Sequence, residues 1–581
     1  MQQPVRQTSN ETEFSTAYYF LEGLNELGIE YLFCNFGTDH APIIEEMAHK
    51  QNLGEKVPTV IRCPHENTAA HMAGGFAFMT GRGQGVLVHV DVGTANTANA
   101  MHNLFRSRLP VLLMAGKAPY TTGNELVGSR DTYVHFVQEP LDQASLVRPY
   151  LKWEWTLPSG VVVKEALRRA HSIAQSEPAG PVYLMMQRET LTQRWRTDAV
   201  RQFPADRYGA THGGQADPQM IGALADCVVA AEQPILITAY AGRNPRAVQA
   251  IAEMSEFAGI AVVESNSSNN IPNTLPCFVG YTADKLVPKA DVGILVDIDV
   301  PWFPTDAQPK PDSFWAHIDI DILKPASPMW TFPGHLRMQG DSGHILMQLL
   351  AAVKTRATPA FERRAAARRE QLAAEHASLF ERAAQLAADK GRKNEINPHY
   401  LMAELNKVLE PNDVVFNEGI RNAAAALLQI ERSAANTMMR SAGGGLGWSG
   451  GFALGAKLAA PERMAVQVVG DGGFYFGNPS SVFAISRQYD LPILIVVMDN
   501  SGWSAVKSST LRVFPKGEAV AANEFQSHLL AGTDFSKIAE AFGAYGERID
   551  DPEALPQALG RCAKTVRGGR TAILHVQVTR L

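Results

Sequence analysis

The chain has 581 residues, with 45 % hydrophobic and 19 % charged residues and a net charge of 53 − 59 = −6. At about 150 residues per domain this length implies several domains with sizeable cores, and it excludes a disordered chain, a small disulfide scaffold and a coiled coil. The mildly acidic balance gives no reason to expect nucleic acid or an anionic membrane as the main partner.

In chain order, the first segment, 1–14, has no apolar core, so no secretory signal is expected. A strand is read at 29–36, a helix at 41–50, a strand at 59–62, a helix at 66–80, and buried strands at 85–90 and 110–115. Such strand–helix alternation predicts a mostly parallel sheet covered on both faces. The stretch 196–215 is polar, with Pro204, Gly209, Gly213 and Gly214, and reads as a linker. A second unit follows, with strands at 234–239, 261–264, 291–297 and 314–319 and a helix at 246–257. Segment 361–393 is rich in Ala, Glu and Arg and reads as a solvated helical connector. A third unit starts at Pro398, with strands at 414–417, 464–469, 493–498 and 572–578. The expected fold class is therefore α/β, three doubly wound parallel-sheet domains at 1–195, 216–355 and 398–581, with the connector at 356–397. No residue-level repeat relates the first and third units. The longest apolar runs are strand-length, too short to span a bilayer. Five scattered cysteines without a CxxC pair argue against a disulfide framework and point to a reduced, cytoplasmic setting.

The strongest chemical signal lies in the third unit. The strand at 464–469 runs into Gly470-Asp471-Gly472, and the strand at 493–498 runs into Asp499-Asn500-Ser501-Gly502. In a parallel sheet both strands deliver their C-terminal ends to the edge where ligands bind. Gly470, Gly472 and Gly473 let the backbone approach a phosphate. The Asp471 carboxylate, the Asn500 amide oxygen and a carbonyl at Gly502 suit a hard divalent cation that takes its remaining ligands from phosphate and water. Asp499 is not expected to be a ligand, because Asn500 keeps the register with Gly502.

Gly470-Asp471-Gly472 with Asn500 resembles the thiamine-diphosphate fingerprint of the acetolactate synthase, pyruvate decarboxylase and benzoylformate decarboxylase superfamily, over nearly the whole chain. The resemblance implies pyrimidine-binding, central and pyrophosphate-binding domains in that order, with thiamine diphosphate and Mg²⁺ as cofactors. It also implies a glutamate at a helix start in the first unit. Cys63-Pro64-His65-Glu66-Asn67-Thr68 closely resembles the acetolactate synthase version of that segment, and Glu66 is the expected catalytic residue, bonding the aminopyrimidine ring. That chemistry suits a carboxyl among apolar neighbours such as Ala69, Ala70, Met72, Ala73 and Phe76. A zinc site on His65, Glu66 and His71 fails, because the two histidines are six apart and about 240° around a helix.

Segment 441–450 contains G-x-G-x-x-G at 445–450, which alone could be a dinucleotide loop. The preceding 436–440 is a poor strand and no acidic ribose ligand stands out. By resemblance this is instead the loop gripping the pyrimidine ring, with the Gly444 carbonyl accepting from its amino group and Leu446 wedged between the cofactor rings. Arg421 matches the family loop at the diphosphate. His89 falls where benzoylformate decarboxylase carries an active-site histidine, and Thr38 matches a variable substrate position. Asp39 or His40 beside it could move protons, and Ala505 and Val506 fall on the substrate side of the thiazolium.

The class implies an enzyme cleaving or forming the C–C bond next to the carbonyl of a 2-oxo acid or related ketone, as a carboligase or a decarboxylase. Ser509 stands where acetolactate synthase carries its acceptor-selecting tryptophan, by ungapped count from Asn500. The central unit has no clear match to the arginine-bearing FAD segment, so FAD is doubtful. Alternatives are a non-catalytic binding or regulatory homologue and an FAD-assisted oxidative relative. Glu66 of one subunit is expected to serve the cofactor held by another, which makes a homodimer the minimum unit and a tetramer common in the family. The partner expected is a small-molecule substrate, with no nucleic acid and no membrane.

Overall fold

Valine, isoleucine and leucine runs buried on both faces belong to parallel sheets, because crossover helices cover each side. The computed structural model describes residues 13–202 and 204–579 and contains three such sheets of six strands. The reading of the first segment falls largely on residues 1–12, outside the described residues. By packing the chain forms two compact units, one up to Thr211 and one from His212.

In the first unit the sheet order is Thr59–Arg62, Tyr31–Asn35, Gln84–Val88, Val111–Lys117, Val182–Gln187 and Trp153–Thr156, with every pair parallel. A short antiparallel pair, Glu13–Ser15 with Arg194–Arg196, sits apart from it. The second unit holds two six-stranded sheets. One runs Phe278–Gly280, Ala261–Glu264, Pro234–Thr238, Val292–Val296, Phe314–Asp319 and Leu336–Gln339. The other runs Met438–Met439, Val414–Glu418, Ala465–Gly470, Leu494–Asp499, Ala572–Gln577 and Tyr545–Ile549. All of their pairings are parallel too.

Numbered within each sheet, the first and third share the order 2-1-3-4-6-5, whereas the middle sheet has 3-2-1-4-5-6. The order reverses in sheets one and three between the first and third strands, which opens a crevice at their C-terminal ends. The predicted strands all form, within two residues at each end. The strands that sequence reading missed are edge or next-to-edge ones, and most are short.

One expectation changes. The helix Pro359–Ala388 is not simply solvated: Phe361, Ala365, Leu372 and Leu379 are buried in the core of the middle sheet. Arg368 donates to the carbonyls of Ala231, Ala258 and Gly259. The stretch read as a linker contains the division between the two units, at Thr211 and His212. The Gly209 carbonyl accepts from Ser172 Oγ at 3.1 Å, and the Thr211 carbonyl from the Glu177 N–H at 3.0 Å. No helix among the described residues is long and apolar enough to cross a membrane.

Candidate active site

The third sheet brings its predicted residues around one cavity of about 410 Å³. Gly470 pairs with Met498, so Asp471 and Asn500 leave neighbouring strands at one edge. The cavity is lined by Arg421, Gly444, Leu446, Gly470, Asp471, Gly472, Gly473, Asn500, Gly502, Ala505 and Val506. Phe476, Met498 and Trp503 complete a largely apolar wall. Such a volume suits a cofactor-sized ligand with a few convergent polar groups.

Asp471 opens the short helix Asp471–Phe476 and is buried. Burial, and then the charge of Asp499, raise its carboxyl to about 6, against the pull of the N–H groups of Gly472 and Gly502. Asn500 Oδ1 accepts the Gly502 N–H at 3.2 Å, and its Nδ2 donates to Ser504 Oγ at 2.6 Å. A Cβ on Gly502 would lie 2.7 Å from the Ser527 carbonyl, so only glycine fits there. Asp471, Asn500 and Gly502 all line the one cavity. The side chain of Asp499 is engaged elsewhere: its Oδ2 lies 3.0 Å from His575 Nε2 and its Oδ1 accepts the Ser501 N–H.

The glycines serve different ends. A Cβ on Gly472 would meet Trp503 Cδ1 at 2.6 Å, and one on Gly473 would meet Val469 and Glu418 at 3.1 and 3.2 Å. At Gly444 nothing lies within 4 Å, and at Gly470 only the Met498 carbonyl at 4.0 Å. Gly472 and Gly473 are therefore required by the protein's own packing, while Gly444 and Gly470 leave open space. Arg421 is exposed and donates to Ser508 Oγ at 2.6 Å.

Sequence reasoning passed over Glu418, the last residue of the strand Val414–Glu418. It is buried and accepts the Gly447 N–H, the Ser449 N–H at 3.0 Å and the Ser449 hydroxyl. Burial pushes its carboxyl up to about 7, against those hydrogen bonds. It ties the 444–449 loop to the sheet edge. A carboxylate closing an apolar strand was the available signal.

In the first unit, Glu66 is the first residue of the helix Glu66–Thr80, whose N-cap is His65. Glu66 is buried, and its Oε2 accepts from Asn96 Nδ2 at 3.0 Å. Ala69, Ala70, Met72, Ala73 and Phe76 are buried around that helix as expected. His65 Nδ1 caps the Asn67 N–H, while His71 is fully buried and driven down to about 3 by that burial, so the two histidines do not form a metal pair. A Cβ on Gly93 would lie 3.2 Å from His89 Cβ and 3.5 Å from Glu66 Oε1, so His89 and Glu66 flank the same glycine. Thr38 Oγ1 lies 3.0 Å from His135 Nε2. His135 and Gln138 were not singled out in the sequence.

In the middle sheet, segment 296–302 goes into packing. Asp297 is buried and accepts from Ser342 Oγ at 2.6 Å, and Trp302 packs on Trp315 at 4.9 Å between ring centroids.

Comparison with known proteins agrees with this geometry. Residues 14–146 match the model "Thiamine pyrophosphate enzyme, N-terminal TPP binding domain", and residues 421–576 match its C-terminal TPP binding domain. The chain is 24 % identical to the acetolactate synthase isozyme 3 large subunit of Escherichia coli, covering 88 % of this chain and 87 % of that one. It is 23 % identical to 2-hydroxyacyl-CoA lyase 2 of Danio rerio, covering 96 % and 90 %. The fold is shared with the thiamine diphosphate-dependent 4-hydroxybenzoylformate decarboxylase of Rhodococcus jostii, at a TM-score of 0.76 and 18 % identity, over 98 % of this chain and all of that one. The chain belongs to the thiamine pyrophosphate enzyme family.

Proposed function

We propose that the protein is a thiamine-diphosphate- and Mg²⁺-dependent lyase or transferase that cleaves or forms the C–C bond beside the carbonyl of a 2-oxo acid or related ketone. The observation that carries this reading is the cavity where Asp471, Asn500 and Gly502 meet Gly444, Leu446 and the Gly472–Gly473 turn. When bound, thiamine diphosphate supplies a nucleophilic carbon and an electron sink.

The chain's own residues divide the remaining work. Asp471, the Asn500 amide oxygen and the Gly502 carbonyl hold the cation. A carboxyl raised to about 6 by burial and a like charge suits this role, because a cation beside it favours the ionised form. Arg421 would turn from Ser508 to the diphosphate. Leu446 would wedge against the bound cofactor, and Gly444 would offer it a carbonyl. Glu66 would hold a proton at its carboxyl for the pyrimidine ring of the bound cofactor. Thr38, Ala505 and Val506 face substrate, and His89 moves a proton. Exposed Phe476 and Trp503 at the cavity, 55 % and 40 % accessible, support a homo-oligomer of at least two chains that covers them. The setting is cytoplasmic, and the middle sheet takes no FAD in this reading.

A panel of 2-oxo acids and cyclic diketones, assayed with thiamine diphosphate and Mg²⁺ for CO₂ release and for ligated product, tests it. Glu66→Gln should lose about 10²–10⁴-fold in kcat with an unchanged melting temperature. Asp471→Ala should abolish Mg²⁺-dependent cofactor binding in calorimetry. Full activity in the first variant, or unchanged affinity in the second, would refute the reading.

A further inference from the structure

We propose that Asp39 is a positioning residue that holds His89 as the proton donor of the first-sheet site, with Gln138 accepting the hydrogen bond of the Nε2 proton that is to be delivered. The proposal rests on the thiamine-diphosphate reading above and deepens it by giving that reaction a proton source.

The three side chains meet where the order of the first sheet reverses. Asp39 lies in the 3₁₀ turn Thr38–His40 after the strand Tyr31–Asn35. His89 follows the neighbouring strand Gln84–Val88, and Asn35 pairs with Val88. Gln138 ends the short helix Val134–Val137. This crevice is where ligands bind in open α/β sheets.

Asp39 is 1 % exposed. Its Oδ1 lies 2.5 Å from His89 Nδ1, and its Oδ2 accepts the Val90 N–H at 3.0 Å. His89 Nε2 lies 2.7 Å from Gln138 Oε1. A carboxylate and an amide oxygen only accept, and an imidazolium, with both ring nitrogens donating, satisfies both contacts. Two glycines make the room. A Cβ on Gly116 would lie 1.6 Å from Asp39 Oδ2, and one on Gly37 would lie 2.0 Å from His89 Nδ1. No other residue could stand at either place with this pair intact.

The surrounding charges support the same state. Burial opposes a charged His89, but the hydrogen bond and charge of Asp39, the bond to Gln138 and the charge of Glu66 outweigh it and raise the imidazole. Burial would raise Asp39, and the His40 and His89 rings outweigh that and lower it. His40, fully buried with Nε2 3.5 Å from Asp39, is lowered by burial. His135 is lowered by burial and by Arg188, which itself forms a two-pronged pair with Asp131. His89 alone of these rings is both raised and partly open, at 16 % side-chain exposure, and it flanks Gly93 opposite Glu66.

In the step, the His89 Nε2–H bond breaks as the proton bonds to a basic atom of the bound substrate. The ring is left neutral, its Nδ1–H still on Asp39, and water restores the Nε2 proton. Asp39 never gives up its negative charge, so it acts only through His89.

The test uses full-length protein with isotope-labelled histidine. His89, assigned by the signal lost in His89→Gln, should titrate above the ordinary 6.5 with both ring nitrogens protonated below that point. In Asp39→Asn the titration should fall by about 1–3 pH units, and the alkaline limb of kcat should move down equally, about tenfold in rate per unit above it, with KM little changed. A wild-type His89 that titrates at or below 6.5 overturns the proposal, and this arm needs no variant to fold. So does an Asp39→Asn protein in which the titration stays put, or moves without the kcat limb. Absence of any cofactor-dependent turnover in the wild type counts against the function proposed above. Normal wild-type turnover with an unmoved limb counts against Asp39 alone.

Discussion

Four acidic or amide residues at the third sheet's edge have different fates, set by what each side chain meets. Asp471 points into the cavity and is raised to about 6. Asp499, the last residue of the strand Leu494–Asp499, is tied to His575 and lowered. Asn500 turns onto the cavity wall, and Glu418 is consumed in holding the 444–449 loop. The first three could be told apart in the sequence because strand ends and register determine which residue follows the last paired one. Glu418 could not, because its partners at Gly447 and Ser449 are about 30 residues away and only the fold brings them close. Its pKa sets a testable pH dependence. At about 7 in the folded protein against an ordinary 4.5, Glu418 binds more protons folded than unfolded between those values. Its contribution to stability is therefore full below 4.5 and is lost as pH rises through 7, by roughly 3 kcal/mol. Glu418→Gln removes that term, so the melting temperature of the wild type relative to the variant should fall between pH 5 and pH 8 in thermal scans. Parallel curves would show that the carboxyl titrates normally.

At the scale of elements, burial decides what composition hides. The helix Pro359–Ala388 carries enough Glu and Arg to read as solvated, yet Phe361, Ala365, Leu372 and Leu379 fall on one narrow stripe that packs against the middle sheet. An Ala- and Arg-rich background dilutes such a stripe, and the partner surface lies about 100 residues earlier in the chain. Phe361→Ala should therefore cost about 3–5 kcal/mol, seen as an early melting transition, whereas an exposed neighbour such as Glu370 changed to Ala should cost little. Equal effects of the two would return the helix to a passive connector. Edge strands escaped the sequence reading for a related reason. Met438–Met439 and Phe278–Gly280 have two and three residues, too few to show alternation, and exist because a neighbouring strand supplies their hydrogen bonds.

For the whole molecule, the first and third sheets share one strand order although no repeat is visible in their residues. Each places its candidate residues at its own switch point: Asp39 and His89 in the first, Glu418 and Asp471 in the third. Such equivalence depends on topology, which many sequences satisfy. Adding thiamine diphosphate with Mg²⁺ should raise the melting temperature, with about 2.7 kcal/mol of stabilisation at a hundredfold excess over Kd, and a chelator should reverse it. Light scattering should give a mass of at least two chains. No shift with cofactor, or a monomer, would count against the corresponding part of the proposed function.

The sequence by itself determined the central strands, the parallel class and which residues leave the strand ends of the third sheet. These follow from local periodicity and from residues held at fixed distances from strand ends, which survive folding unchanged. The tertiary structure alone decided that eleven predicted residues line a single cavity, that Glu418 anchors its loop, that the Arg-rich helix carries a core stripe, and that Asp39 and Gln138 contact His89 from both sides. Each of these depends on groups far apart in the chain, whose hydrogen bonds and burial exist only once the sheets have closed around them.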